Sequence, residues 1–112
     1  MSGVTPDGHE PLTPAVLHVL LALSDGPLHG YAVMRRVEEE SGVGMGPGTI
    51  YGTLERLEDA GLVHDAGEDD GDTRRRRRFG LTSAGRGVLR DEALRIQRLA
   101  ALTRSFVPDA SP

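Results

Sequence analysis

The chain has 112 residues, no cysteine, 15 glycines and a formal net charge of −4. That length sets one domain with one modest core as the prior, and the missing cysteines exclude disulfides and thiolate metal sites, which suits a cytoplasmic protein. No apolar run reaches the roughly 18 residues of a membrane span, and the start of the chain lacks the charged-then-apolar pattern of a signal peptide.

Net acidity argues against a generic nucleic-acid binder, but charge distribution matters more than its sum. Five of the 13 basic residues, all arginine, stand consecutively at Arg74–Arg78.

In chain order, residues 1–11 are polar with Gly and Pro and read as a disordered tail. Thr13-Pro14 reads as an N-cap followed by proline at the first helical position, and the apolar stretch Ala15 to Leu23 predicts a helix buried on most sides. Ser24-Asp25-Gly26-Pro27 stops it. A second helix is predicted from about Gly30 to Ser41, with Tyr31, Met34, Val37 and Val33 on its apolar side and Gly42 just past its end. A third starts at Pro47 and ends before Gly61, with Ile50, Leu54 and Leu57 as the core stripe. Leu62 to Ala66 reads as a short strand, Gly67 to Thr73 as an acidic turn, and Arg74 to Leu81 as the return strand of a hairpin. Thr82 caps a last helix from about Ser83 to Phe106, which would be about 36 Å long.

The expected fold is mainly α with a small β-hairpin. It is a winged helix-turn-helix domain over residues 12–82, a C-terminal dimerisation helix over 83–107, and a short tail over 108–112. In a helix-turn-helix the second helix of the motif lies in the major groove.

Four stretches resemble the PadR family of transcriptional regulators. They are Leu28-His29-Gly30-Tyr31, Gly46-Pro47-Gly48-Thr49-Ile50-Tyr51, the run from Leu54 to Val63, and the arginine-rich strand leading into Leu81-Thr82-Ser83-Ala84-Gly85-Arg86. The likeness covers about residues 12–90 and is to the shorter branch, with one C-terminal helix. Where that family often has two adjacent tyrosines before the Leu-Thr pair, this chain has Arg78 and Phe79. The resemblance implies a winged-helix homodimer that represses transcription and often responds to small molecules.

Candidate DNA contacts are Gly48, Thr49, Tyr51, Gly52, Thr53 and Arg56 on the third helix and Arg74, Arg75 and Arg76 on the wing. Glycines on the wet face of a helix cost about 1 kcal/mol each relative to alanine, which close approach of the backbone to DNA would justify; neutral surface drift is the plainer reading. Thr49 and Thr53 can meet phosphate oxygens or a thymine methyl. Tyr51 can donate to phosphate or simply pack. Arg56 can fork onto guanine or phosphate, or pair with Asp59 three residues on. The five arginines cannot all reach one backbone. Arg77 and Arg78 are expected to pair with carboxylates or to cover apolar surface with their stems. Charge compensation of the acidic turn is the alternative for the whole run.

The last helix carries too wide an apolar arc for one small domain. A dimer seam lined by Val16, Leu20, Leu89, Ala93, Ile96, Leu99, Ala100 and Phe106 would cover it; folding back on the domain's own core is the alternative. His9, His18, His29 and His64 lack ligand spacing, so no metal or other cofactor is expected. No phosphate-cradling loop or nucleophile–base set suggests an enzyme. The expected partners are double-stranded DNA, a second copy and a small-molecule effector, with no membrane. The expected function is a repressor on a pseudo-palindromic operator. The alternative is a winged-helix protein-interaction module without DNA binding, which net acidity favours.

Overall fold

The computed structural model describes residues 11–68 and 77–108. Residues 1–10 of the expected tail 1–11, residues 109–112 of the tail 108–112, most of the acidic turn, and Arg74, Arg75 and Arg76 lie outside the described residues.

Helix α1 spans Pro14–Ala22. Thr13 caps it as its codes suggest: the Thr13 hydroxyl accepts from the Val16 N–H at 3.2 Å, and Pro14 takes the first position, where no donor is missed. Helix α2 spans Gly30–Ser41 and ends on Gly42 at φ 75°, a left-handed cap that glycine adopts without strain. Helix α3 spans Pro47–Asp59. Its end is a Schellman turn: Gly61 (φ 79°) and Leu62 donate back to Glu58 and Leu57, both near 3 Å.

A two-residue strand, β1 at Leu28–His29, precedes α2 and was not anticipated. Two residues carry no alternation to read. Its existence depends on pairing with a distant strand, Leu28 opposite Phe79 and His29 opposite Arg78. The wing strands are β2 at Val63–Glu68 and β3 at Arg77–Leu81. The antiparallel sheet runs β1-β3-β2, so the wing's return strand is central and is bonded on one side to the segment that opens α2. The β2–β3 register shifts between Asp65 and Glu68. There Gly67 takes φ 99° and its N–H bonds the Asp65 carboxylate at 2.8 Å, as a bulge requires.

Helix α4 spans Ser83–Leu102, shorter than its apolar pattern suggests. The Thr103 hydroxyl donates to the Ala100 carbonyl at 3.1 Å, and Arg104–Phe106 tighten into a 3-10 turn. Among the described residues no helix is long and apolar enough to cross a membrane, and no cluster of three potential ligands could hold a metal ion.

Three helices and the sheet share one core. Val19 and Leu20 from α1 and Leu23 just after it meet Val33 and Val37 from α2. Ile50, Leu54 and Leu57 come from α3, and Phe79 and Leu81 close the core from the wing side. In α2 the i, i+4 pair Val33/Val37 carries the packing. Tyr31, expected on that apolar side, is instead 61% exposed. Leu20 is completely buried in this core, so it cannot line a seam between copies.

Candidate nucleic-acid interface

The N-terminal half of α3 stands at the surface. Gly46, Pro47, Gly48 and Thr49 are exposed, while Ile50 and Leu54 anchor the opposite side. No side chain caps this end, so its first backbone N–H groups face outward with the positive end of the helix dipole. A Cβ built on Gly46 or Gly48 would meet nothing within 4 Å. Nothing inside the domain therefore requires glycine there. A Cβ built on Gly52 would lie 3.7 Å from the Arg56 guanidinium.

Tyr51 has a packing role. A Cβ on Gly30 would sit 2.5 Å from Cε1, Cζ and the hydroxyl oxygen of Tyr51, so the ring lies directly over the first residue of α2. This explains the glycine in His29-Gly30-Tyr31. Tyr51 remains 37% exposed, so the same ring that locks α2 to α3 also offers a surface.

Thr53, expected to face DNA, is 1% exposed. At about 100° per residue it falls about 40° beyond Leu57, at the edge of the core stripe. It fills that place as valine would, with its hydroxyl satisfied by a bond from Arg56 at 3.3 Å. The signal was present in the periodicity, but the residue's polarity masked it. Arg56 is exposed and bonds Thr53 rather than pairing with Asp59.

Arg77 is committed internally. Its Nη2 donates to both oxygens of Glu58 at 3.0 Å, its Nε donates to Asp65 at 2.9 Å, and the guanidinium lies 4.7 Å from the centre of the Phe79 ring. It thus ties the wing to the C-terminal half of α3. Partial burial works against its charge, but the Glu58 and Asp65 carboxylates outweigh that and raise its pKa. The Gly67 N–H, and after it the Arg77 guanidinium, hold the Asp65 carboxyl below the ordinary value. Arg78 donates weakly to the Ala66 carbonyl at 3.4 Å.

On α4, Ala93, Leu94, Ile96, Leu99, Ala100 and Leu102 are exposed, as is Phe106 beyond it. Val16 and Leu89 are only partly buried against the core. Leu102 and Phe106 are 76% and 87% exposed, too bare for a helix folded back on its own domain. Glu92 differs: it is 1% exposed and paired with Arg95 at 2.6 Å, which raises the Arg95 pKa.

Three helices followed by a β-hairpin, with a short strand before α2 joined to its sheet, define a winged helix-turn-helix protein. Residues 17–91 match the Transcriptional regulator PadR-like family, and the chain belongs to it. It is 36% identical over 85 residues to the Transcriptional regulator Rv3488 of Mycobacterium tuberculosis, covering 75% of this chain and 77% of that one. It is 48% identical over 96 residues to an uncharacterised 37.1 kDa protein in transposon TN4556 of Streptomyces fradiae. That match takes in 85% of this chain but spans only 27% of the larger protein. Among solved structures, a PadR family regulator from Clostridium difficile superposes with a TM-score of 0.73 at 21% identity, over 84% of this chain and 98% of that one. Bacillus subtilis PadR in complex with operator DNA gives 0.60 at 27% identity, over 68% and 44%.

Proposed function

We propose that the chain is a DNA-binding repressor that acts as a homodimer on a pseudo-palindromic operator. The observation that carries this reading is the uncapped, side-chain-poor N-terminus of α3, where Gly46 and Gly48 leave open space that their own domain does not use. A phosphate or a groove wall can approach such a backbone closely, and the helix dipole favours the anion. The complex of Bacillus subtilis PadR with operator DNA supports the same mode here. In this reading Gly48, Thr49, Gly52 and Arg56 face the groove, the exposed edge of Tyr51 meets phosphate, and Arg74–Arg76 follow the adjacent backbone. Thr53 acts from the core by orienting Arg56.

The bare apolar surface of α4 fits the second copy. Pairing through Leu89, Ala93, Ile96, Leu99, Ala100 and Phe106, with Val16 at the margin, would remove several large side chains from water at about 1.5–3 kcal/mol each. Two recognition helices would then address half-sites about 34 Å apart. An effector changes operator occupancy by binding one arrangement of the dimer better than another.

A gel-shift titration on the promoter upstream of the protein's own gene tests this. Binding should weaken steeply as salt rises from about 50 to 200 mM. Arg75→Ala should reduce the salt slope by about 1, and Arg56→Ala should weaken binding. No binding at the lower salt, or affinity indifferent to salt, would sink the proposal.

A further inference from the structure

A cleft of about 360 Å³ opens between the first turns of α1, the C-terminal end of α2 and the segment leading into α3. Ala15 and His18 form one wall, Val37 and Ser41 another, and Met45 and Thr49 the side toward the candidate DNA interface. Its volume falls in the range of small-molecule sites, and a cavity of about 150 Å³ already admits benzene. There is room for a fused bicyclic molecule.

The lining dictates the chemistry of the occupant. Among the described residues it contains no carboxylate and no guanidinium, so an ion would be desolvated without a counter-charge from them. The Ser41 hydroxyl is already used: it donates to the Val37 carbonyl at 2.7 Å and accepts from the Val43 N–H at 3.0 Å. His18 is different. Its Nδ1 is buried with no hydrogen-bond partner among the described residues, leaving Nε2 as the edge of the ring that can still bond. The cleft therefore offers apolar walls, the His18 imidazole and the Thr49 side chain.

We infer that this cleft binds a compact, uncharged, mostly hydrocarbon molecule of two fused rings bearing one hydroxyl or carbonyl oxygen, and that its occupant regulates the α3 N-terminus. Thr49 and Met45 are shared between the cleft and the approach to α3, so an occupant touches the same turn that carries Gly48. The regulatory half of this inference rests on the DNA-binding reading; the binding half does not.

The probes are 1-indanol, indane, which lacks the oxygen, and indane-1-carboxylate, which adds a charge. Each is titrated into the ¹⁵N-labelled full chain, with amide shifts as the readout. Shifts from 1-indanol should centre on Ala15, His18, Met45 and Thr49, and it should bind more tightly than either relative. Ala15→Phe, which fills the cleft from a half-exposed position, should weaken 1-indanol about tenfold or more. His18→Leu should bring 1-indanol down to the level of indane, about a fivefold loss for one net hydrogen bond. Shifts centred on Leu94, Leu99 and Leu102, or an affinity untouched by both substitutions, would overturn the site. Regulation is read separately, as a change in operator affinity with saturating 1-indanol and an equal reciprocal change in 1-indanol affinity with DNA. Cleft binding that leaves operator affinity unchanged overturns the regulatory half. Cleft binding in a chain that binds no duplex overturns the DNA reading and that half with it, but leaves the site standing.

Discussion

Replacing Gly30 with alanine should destabilise the domain, although alanine is the better helix former. The added Cβ would stand 2.5 Å from three atoms of the Tyr51 ring, where carbon pairs settle at about 3.5–4.0 Å. The ring must withdraw by roughly 1 Å or swing outward, uncovering the start of α2. Overpacking of this kind costs about 1–3 kcal/mol. Helix propensity returns at most about 1 kcal/mol, less at the first helical position. The net expectation is a loss of about 1–2 kcal/mol. With Tyr51→Ala already in place the obstruction is gone, and Gly30→Ala should be neutral or slightly stabilising. Urea unfolding of the four proteins at one protein concentration closes the cycle, with an expected coupling of about 1–3 kcal/mol. If the two substitutions add to within about 0.5 kcal/mol, the ring does not rest on Gly30 and the account of α2–α3 docking is wrong.

Gly48→Ala should do the reverse. Its Cβ enters open space, so stability should hold or rise by up to about 1 kcal/mol while operator affinity drops on the order of tenfold; equal DNA binding would dismiss the close-approach argument. Arg77→Gln leaves Glu58 and Asp65 without their shared cation. Because these groups are about a third exposed or more, the expected loss is only about 1 kcal/mol, shrinking in high salt; a loss indifferent to salt would point to packing instead. Asp65 has a folded pKa below its unfolded value of about 3.9. Its contribution is complete above that pH and fades as pH falls through the folded value, so Asp65→Asn should flatten the acid limb of a stability profile between about pH 5 and 2. Leu99→Glu should convert the proposed dimer to monomer in light scattering, and an unchanged mass would remove that residue from the seam.

Helix boundaries were legible because capping chemistry is local. Thr13-Pro14, Gly42, Pro47, Gly61 and Thr82 each act within one turn of chain, and the structure uses all of them. What escaped the sequence depends on distant partners. β1 exists through Phe79 and Arg78, far along the chain. Leu20 and Thr53 looked available because an apolar or polar label does not tell which wall of a helix is enclosed. The pairing of Arg77 with carboxylates was expected, but only the fold brings Glu58 from α3 and Asp65 from β2 to the same guanidinium. The glycine at position 30 could be noticed in sequence, but its reason lies on another helix.

The junction beneath α4 has a consequence for how such regulators diversify. The Thr82 N–H bonds the Leu62 carbonyl, the Thr82 hydroxyl bonds the Gly61 carbonyl at 2.7 Å, and Gly85 lies so close to Leu62 that no Cβ fits between them. The first turn of α4 is thereby welded to the turn that ends α3, leaving no slack between them. α4 then behaves as a rigid lever about 30 Å long, rooted two to three residues past the reading helix. In the proposed dimer, a small change in how two levers cross would swing both reading heads together. Substitutions along α4 could therefore retune the spacing and phase of the half-sites while leaving every base-facing residue as it is.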